Sequence, residues 1–322
     1  MFDVVTMGSA TKDIFLFTES SILKSGQYSH FLEIPLDKKI EISRRLELTG
    51  GGATNAAATF RNFGKKVAVI SKVGRDYNGD FIIRELAKMG ASTKYMIRGE
   101  GETPTTDILV SSNGHMIILT MRGIADTMSR RELRLDFGAK WMYIGPLSGR
   151  SYGVLPRVLG HCAKNGIKVA LLPGSMELNL GMAGMADVLA KVDLVAMNLD
   201  EAGRFVGTGD YKKDLALLAQ AMNGTAIITM GSRGSVVASG GRIYRAGAFR
   251  ARQINIIGTG DAYSAGFVTG MLDGRGVEDC INLASYNARG VVEEYGAKAG
   301  LVDSYPRSSV RIEAIGSYTN AK

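Results

Sequence analysis

The feature that most limits what this chain can fold into is a series of short apolar runs separated by segments with helical spacing. Val4-Val5-Thr6-Met7-Gly8, Val67–Ile70, Trp141–Ile144, Ile167–Leu172, Leu194–Met197 and Ala226–Ile228 read as strands with little polar alternation. A strand apolar on both sides has no solvent face, so it belongs inside a parallel sheet covered by helices on both faces. The intervening segments supply those helices. Ala53–Phe63 is alanine-rich and closed by Gly64, Asp80–Met89 is amphipathic and ends at Gly90, and Val154–Ala163 and Met185–Leu189 follow in alternation with the strands. The expected class is therefore α/β, with a mostly parallel central sheet flanked by helices.

Two stretches break the rhythm. Ile14 to Leu48 is irregular and partly alternating, as in Phe31-Leu32-Glu33-Ile34-Pro35. In Thr105 to Thr120, Ile108-Leu109-Val110 and Met116–Leu119 flank Asn113-Gly114, a strong hairpin turn. That hairpin either extends the main sheet or belongs to a separate one. Neither an internal repeat nor a proline-rich linker divides the chain, and 322 residues suffice for one large domain or two smaller ones.

Composition narrows the function classes. At 45% hydrophobic and 22% charged the chain is ordinary globular protein, and its net charge of +8 favours anionic ligands. The basic residues come as scattered pairs such as Arg44-Arg45 and Lys212-Lys213, without a stripe interleaved with aromatics, so no nucleic-acid partner is expected. Cys162 and Cys280 lack metal-ligand spacing and His30, His115 and His161 form no sequence cluster, which argues for a reducing compartment and against zinc. Met1–Ser9 reads as a strand, with Asp3 where a signal peptide carries positive charge, and no apolar run approaches the ~20 residues of a membrane span. The expected location is the cytoplasm, with no membrane partner.

The chemistry concentrates near the C-terminal end. Asn255-Ile256-Ile257-Gly258-Thr259-Gly260-Asp261 precedes an apolar helical run from Ala262 to Leu272. Glycines free the backbone to bend, and a helix N-terminus offers unpaired N–H groups and positive dipole density to a phosphate. A carboxylate is unwelcome beside that phosphate, so Asp261 either takes the proton of a substrate hydroxyl or serves as a helix N-cap. The sequence contains neither Gly-x-x-x-x-Gly-Lys-[Ser/Thr] nor a Gly-x-Gly-x-x-Gly after a strand, so this turn is the phosphate cradle left to a nucleotide enzyme.

The turn resembles the second signature of the ribokinase (PfkB) family of carbohydrate kinases, Asp-Thr-x-Gly-Ala-Gly-Asp, with Thr259 at the usual alanine. Three further family elements stand in the expected order: Gly50-Gly51-Gly52-Ala53-Thr54-Asn55-Ala56-Ala57, Asn198-Leu199-Asp200-Glu201, and Thr229-Met230-Gly231-Ser232-Arg233-Gly234. The resemblance implies one ribokinase-like kinase domain over 1–318, with a small β lid made of segments at about 14–48 and 98–123. It implies ATP and Mg²⁺ as cofactors and transfer of the γ-phosphate to a hydroxyl of a small sugar. Asp261 would be the general base, and the backbone N–H groups of Gly258, Thr259, Gly260 and Asp261 the anion hole. Asp13 would accept sugar hydroxyls, with Gly50, Gly51 and Asn55 also against the substrate, and Arg122, just past the hairpin, would clamp an anionic group or be a solvated lid residue. Asn198 and Glu201 would organise Mg²⁺ through water, Glu201 being otherwise a mildly stabilising acid in a helix's first turn. Thr229, Gly231 and Gly234 would hold nucleotide phosphates or ribose, or form a tight turn into Ser235–Ala238. Asn287 would line the adenine pocket.

The chain also departs from that pattern. Asn255 stands where relatives commonly have an aspartate that helps bind a monovalent cation, so potassium activation is expected to be weak or lost. Leu172 replaces a residue often Asp or Asn, and Gly52 replaces the lysine of ribokinase itself. A nucleoside kinase of the same fold is the nearest rival, favoured if an aromatic pair among Phe15, Phe17, Tyr28 and Phe31 lines the lid. A sugar- or nucleotide-binding protein without catalysis is the rival from another class. Homodimerisation through the lid is a further expectation.

Overall fold

The apolar runs gather in one sheet in the computed structural model, which describes residues 1–19, 22–25, 30–33, 36–222 and 224–319. Among the described residues nine strands lie in the order Ile312–Ser317, Arg242–Ala246, Ser235–Ser239, Thr225–Thr229, Leu194–Asn198, Lys168–Leu171, Ala139–Ile144, Phe2–Met7, Val67–Ile70. Pairing is parallel from Val67–Ile70 through Thr225–Thr229 and antiparallel across the last three strands. Successive residues of a strand point to opposite faces, so each apolar run feeds two cores. Val5, Met7, Met142 and Ile144 pack on one side with the helices Leu155–Asn165, Leu199–Phe205 and Tyr211–Ala221. Val4, Val69, Trp141 and Tyr143 pack on the other with Gly52–Asn62, Tyr77–Lys88, Thr259–Leu272 and Val277–Val292.

The alanines of Gly52–Asn62 have a packing purpose. Every residue from Gly52 to Phe60 is buried, which only a helix of small side chains achieves while lying against both a sheet and the helix Thr259–Leu272. The latter meets Val277–Val292 as closely: a Cβ at Gly270 would sit 2.8 Å from the Cys280 sulfur. The second amphipathic helix begins a turn earlier than its apolar pattern, at Tyr77, because the Asp76 carboxylate caps it through the Gly79 N–H at 2.8 Å. A helix at Ser175–Gly184 escapes the periodicity because Gly181, at φ 66°, interrupts it before Ala186–Leu189.

The two irregular stretches meet in a separate four-stranded sheet, ordered Met116–Met121, Thr105–Ser111, Thr11–Thr18, Arg44–Gly50. The hairpin therefore does not extend the main sheet; it turns at Gly114, at φ 79°. One face of this sheet carries Phe15, Ile108 and Val110, packed on Ile257 and Tyr295. Phe15 and Phe17 meet the Tyr295 ring edge-on at 6.0 and 4.8 Å. Tyr28 lies outside the described residues, as does the side chain of Phe31. No helix among the described residues is long and apolar enough to cross a membrane.

Candidate active site

The turn at 255–261 folds as its glycines require. Gly258 is the N-cap of Thr259–Leu272 in the left-handed region, φ 81°, and a Cβ there would lie 2.3 Å from that of Ala297. Both facts demand glycine. The first helical bond is donated by Ala262 N–H to the Gly258 carbonyl at 2.9 Å. The N–H groups of Gly258, Thr259, Gly260 and Asp261 find no acceptor among the described residues, and a Cβ at Gly260 would meet open space. Asp261 is thus the third helical residue and not the N-cap, so the capping role is overturned. Its Oδ2 accepts a hydrogen bond from Asn55 Nδ2 at 2.9 Å. Burial raises the Asp261 pKa above its ordinary value; the Asn55 hydrogen bond and the charge of Lys298 oppose that rise, and Glu201 adds to it.

The glycine run supplies the facing wall. Gly51, the N-cap of Gly52–Asn62, has φ 89°, and a Cβ there would lie 2.4 Å from the Ser9 carbonyl oxygen. A Cβ at Gly50 would strike the Asp13 carboxylate at 1.9 Å, so only glycine lets that acid lie over the turn. Gly52 closes the gap to the base: its Cβ position is 3.5 Å from Asp261 Oδ1 and 3.4 Å from Pro146. Asp13 is 4% exposed and accepts from the Thr11 hydroxyl at 2.6 Å. Burial again raises its pKa, against the Thr11 and Thr106 hydroxyls and the Lys298 charge. Asn55 is equally enclosed, and its Oδ1 has no hydrogen-bond partner. A buried amide oxygen left unpaired, on a side chain whose nitrogen bonds the Asp261 carboxylate, is a ready acceptor for a ligand hydroxyl. Asp13, Gly50, Gly51, Asn55 and Asp261 thus come together from three segments of the chain.

The remaining candidates divide. Asn198 and Glu201 form a reciprocal capping box at the end of strand Leu194–Asn198: Asn198 Oδ1 accepts the Glu201 N–H at 2.9 Å and Glu201 Oε2 the Asn198 N–H at 2.8 Å. The box leaves Glu201 Oε1 without a protein hydrogen bond among the described residues. Thr229 ends its strand, and Gly231, at φ 58°, has no atom near its Cβ position, so the backbone there is open to a ligand. Gly234 has a structural reason instead, since a Cβ there would lie 1.9 Å from the Ala246 carbonyl oxygen. Asn287 is a correction. It is fully buried, its amide donates to Thr59 Oγ1 at 3.0 Å and Ala262 O at 2.8 Å, and its Oδ1 accepts from Val302 N–H at 3.1 Å. It ties helices together and has no side toward a nucleotide.

Asn255 is 1% exposed and spans two loops. Its Nδ2 donates to the carbonyls of Ile257 at 3.0 Å and Gly296 at 3.2 Å, and its Oδ1 accepts the Ile257 N–H at 2.9 Å. The nitrogen faces the carbonyl oxygens, so its oxygen is not offered to a cation there. Arg122 is exposed and lines a small cavity with Ser9, Thr11, Thr120 and Ser148. Lys298 and Tyr143 were not anticipated. Tyr143, fully buried on strand Ala139–Ile144, has its pKa pushed up by burial and by the Asp261 charge. Lys298 sits between two small residues in Gly296-Ala297-Lys298-Ala299-Gly300, a context that marks a tightly packed loop but carries no familiar motif.

The chain is similar to known proteins along nearly its whole length. The model of the pfkB family of carbohydrate kinases matches residues 2–303. An uncharacterized sugar kinase of Archaeoglobus fulgidus is 27% identical over 259 residues, covering 76% of this chain and 97% of the relative. A cytidine kinase of Thermococcus kodakarensis is 24% identical over 257 residues, covering 79% and 91%. Among solved structures, a ribokinase of Arabidopsis thaliana complexed with ribose and ATP superposes with a TM-score of 0.75 at 21% identity, over 94% of this chain and 96% of that one. At that identity the likeness shows the fold, which is ribokinase-like.

Proposed function

The chain belongs to the pfkB family of carbohydrate kinases, and from that premise we propose that it transfers the γ-phosphate of ATP to a hydroxyl of a small sugar, with Asp261 as general base. The observation that carries this reading is Asp261 in the first turn of Thr259–Leu272, beside four N–H groups without protein acceptors and opposite the unpaired Asn55 oxygen. Asn55 and Asp13 bind the acceptor's hydroxyls, Gly50 and Gly51 let it approach the backbone, and Asp261 takes the proton of the hydroxyl that attacks. A carboxylate with a raised pKa is the stronger base for that step. The N–H groups of 258–261 donate to the negative charge that builds on the transferred phosphoryl oxygens, where one such donor is typically worth ~3 kcal/mol. Thr229 and Gly231 hold the nucleotide.

Magnesium fits the Asn198–Glu201 corner. Among the described residues no three His, Cys, Asp or Glu side chains are grouped to hold a metal directly, and Mg²⁺ keeps most of its own water. The free Oε1 of Glu201 suits a water-mediated partner of that ion, which supplies charge neutralisation to the phosphates when bound. One kinase domain spans 1–318, with a lid at about 14–48 and 98–123 whose sheet of strands Thr11–Thr18, Arg44–Gly50, Thr105–Ser111 and Met116–Met121 covers the acceptor. Ile118, Leu119 and Met121 leave that sheet's edge strand apolar and exposed, which supports pairing of two copies through the lid. ATP as donor and two buried free thiols suit a cytoplasmic enzyme.

A sugar acceptor is favoured over a nucleoside because Phe15 and Phe17 are taken up in packing with Tyr295. A panel of sugars, sugar phosphates, sugar acids and nucleosides with coupled detection of ADP tests the reading. Turnover of a sugar-type acceptor is expected. Turnover confined to nucleosides would replace the substrate class, and binding of ATP without transfer to any acceptor would overturn catalysis.

A further inference from the structure

Arg122 closes the lid hairpin with a guanidinium that the fold does not use. Strand Met116–Met121 ends just before it, and the chain is then pinned. The Ile124 N–H donates to the Glu102 carbonyl at 3.0 Å and the Ala125 N–H to the Arg122 carbonyl at 3.2 Å. Gly123, at φ 49°, lies where a Cβ would be 2.2 Å from the Glu102 carbonyl oxygen. Among the described residues the Arg122 side chain itself has no hydrogen bond, ion pair or ring contact. Asp126, four residues on, accepts the Ser148 hydroxyl instead. A free guanidinium on a fixed backbone is pre-organised to hold an anion.

The cavity that Arg122 lines, of about 130 Å³, adjoins the reacting acid. Thr11 lines it and donates to Asp13 at 2.6 Å, and Ser9 lines it and accepts the Gly52 N–H at 3.3 Å. Pro146, on the same wall, is 3.4 Å from the Cβ position of Gly52, which is itself 3.5 Å from Asp261 Oδ1. Only that glycine stands between cavity and base. Among the described residues the lining offers hydroxyls from Ser9, Thr11, Thr120 and Ser148, no aromatic ring, and no cation besides Arg122. Lysines elsewhere around the lid are committed: Lys12 pairs with Glu47 at 2.6 Å, Lys72 with Glu132 at 2.7 Å, and Lys298 donates to the Thr49 hydroxyl at 2.8 Å. We propose that the acceptor is an anionic sugar derivative, a sugar acid or a sugar phosphate, whose carboxylate or phosphate is bound by Arg122 in this cavity. Each part of the lining selects for that class. Hydroxyls suit a polyol, the lack of rings gives a nucleobase nothing to stack on, and the guanidinium matches an oxyanion through two parallel N–H donors. Asp126 repels a second negative charge, so the anionic end belongs at Arg122 and the sugar hydroxyls at Asp126.

This inference rests on the acceptor position proposed above, at Asp13 and Asp261, but its test needs no transfer. Affinities are measured by calorimetry, with ADP in place of ATP, for matched pairs: gluconate and glucose, glycerate and glycerol, fructose 6-phosphate and fructose, ribose 5-phosphate and ribose. At least one anionic member should bind about 30-fold more tightly than its neutral partner, the size expected of one charge-assisted pair. Arg122→Ala should remove most of that preference and Arg122→Lys should keep part of it. The pair that responds separates carboxylate from phosphate. Neutral partners that bind as tightly as the anionic ones, no binding by any member, or a preference that survives Arg122→Ala would each overturn the inference. Arg122-dependent binding of an anionic sugar that is never phosphorylated when ATP replaces ADP would instead overturn the kinase reading and leave the binding site standing.

Discussion

Replacing Asn255 by aspartate should convert a self-contained loop junction into one that needs a cation. In the protein, Nδ2 of this buried residue donates to the carbonyl oxygens of Ile257 and Gly296. A carboxylate oxygen in its place donates nothing and faces two carbonyl dipoles with like charge. Two hydrogen bonds at ~1 kcal/mol each, plus the cost of stranding buried carbonyls, amount to about 3 kcal/mol. At roughly 2 °C per kcal/mol for a domain of this size, the melting temperature in buffer free of sodium and potassium should fall by about 6 °C. A monovalent cation entering between the carboxylate and the carbonyls would restore the balance of charge, so added potassium should return most of the loss in Asn255→Asp. The wild type should show neither effect, with activity changing no more than about threefold between potassium-free and potassium-rich buffer, since even ~1.4 kcal/mol of lost cation binding is a tenfold weaker site. Thermal shift and turnover, each with and without potassium, provide the assay. Strong activation of the wild type by low millimolar potassium would refute the reasoning, because backbone carbonyls would then be holding the cation despite the asparagine.

Glu201→Gln keeps an oxygen for the Asn198 N–H and so preserves the cap, but removes the charge offered to Mg²⁺; half-maximal activity should require about fivefold more magnesium, and an unchanged requirement returns Glu201 to a purely capping role. Asn287→Ala should lower stability by about 3 kcal/mol in denaturant unfolding, through three lost hydrogen bonds, two of them buried, with KM for ATP within about twofold; a selective loss of ATP affinity would restore it to the nucleotide site. Asp261→Asn should raise the melting temperature at neutral pH. A carboxyl whose folded pKa lies above its ordinary 3.8 costs stability above the folded value and nothing below the ordinary one, so the gain should vanish by about pH 3.5. An equal gain at both pH values would assign it to packing.

The parts of the fold carried by local pattern were legible beforehand. Val4–Met7, Val67–Ile70 and Leu194–Met197 announced buried strands because apolar continuity and length are properties of the segment alone. The Asn113-Gly114 turn announced its hairpin for the same reason, and Gly258 and Gly260 marked the turn before Asp261. The site was legible only as separate motifs. Nothing local says that Asn55 bonds Asp261 across 206 positions, or that Gly50 is glycine because Asp13 lies over it. Asn287 was misassigned because a helix-face asparagine looks the same whether it faces a ligand or three partners within the protein. Lys298 passed unnoticed because a lysine is usually solvated, and its enclosure depends on a loop meeting a strand nearly 250 positions away. Segments whose role is set by long-range burial give no sign of it in composition or period.

The central claim is that Asp261 takes the proton from the acceptor hydroxyl. Steady-state kinetics of Asp261→Asn beside the wild type, on the acceptor identified from the panel, test it most directly, with ATP affinity measured independently by calorimetry. Loss of a positioned base typically costs about 10²–10⁴ in rate, so kcat should fall at least about 100-fold while the dissociation constant for ATP stays within a few-fold. Turnover within a few-fold of the wild type would contradict the claim.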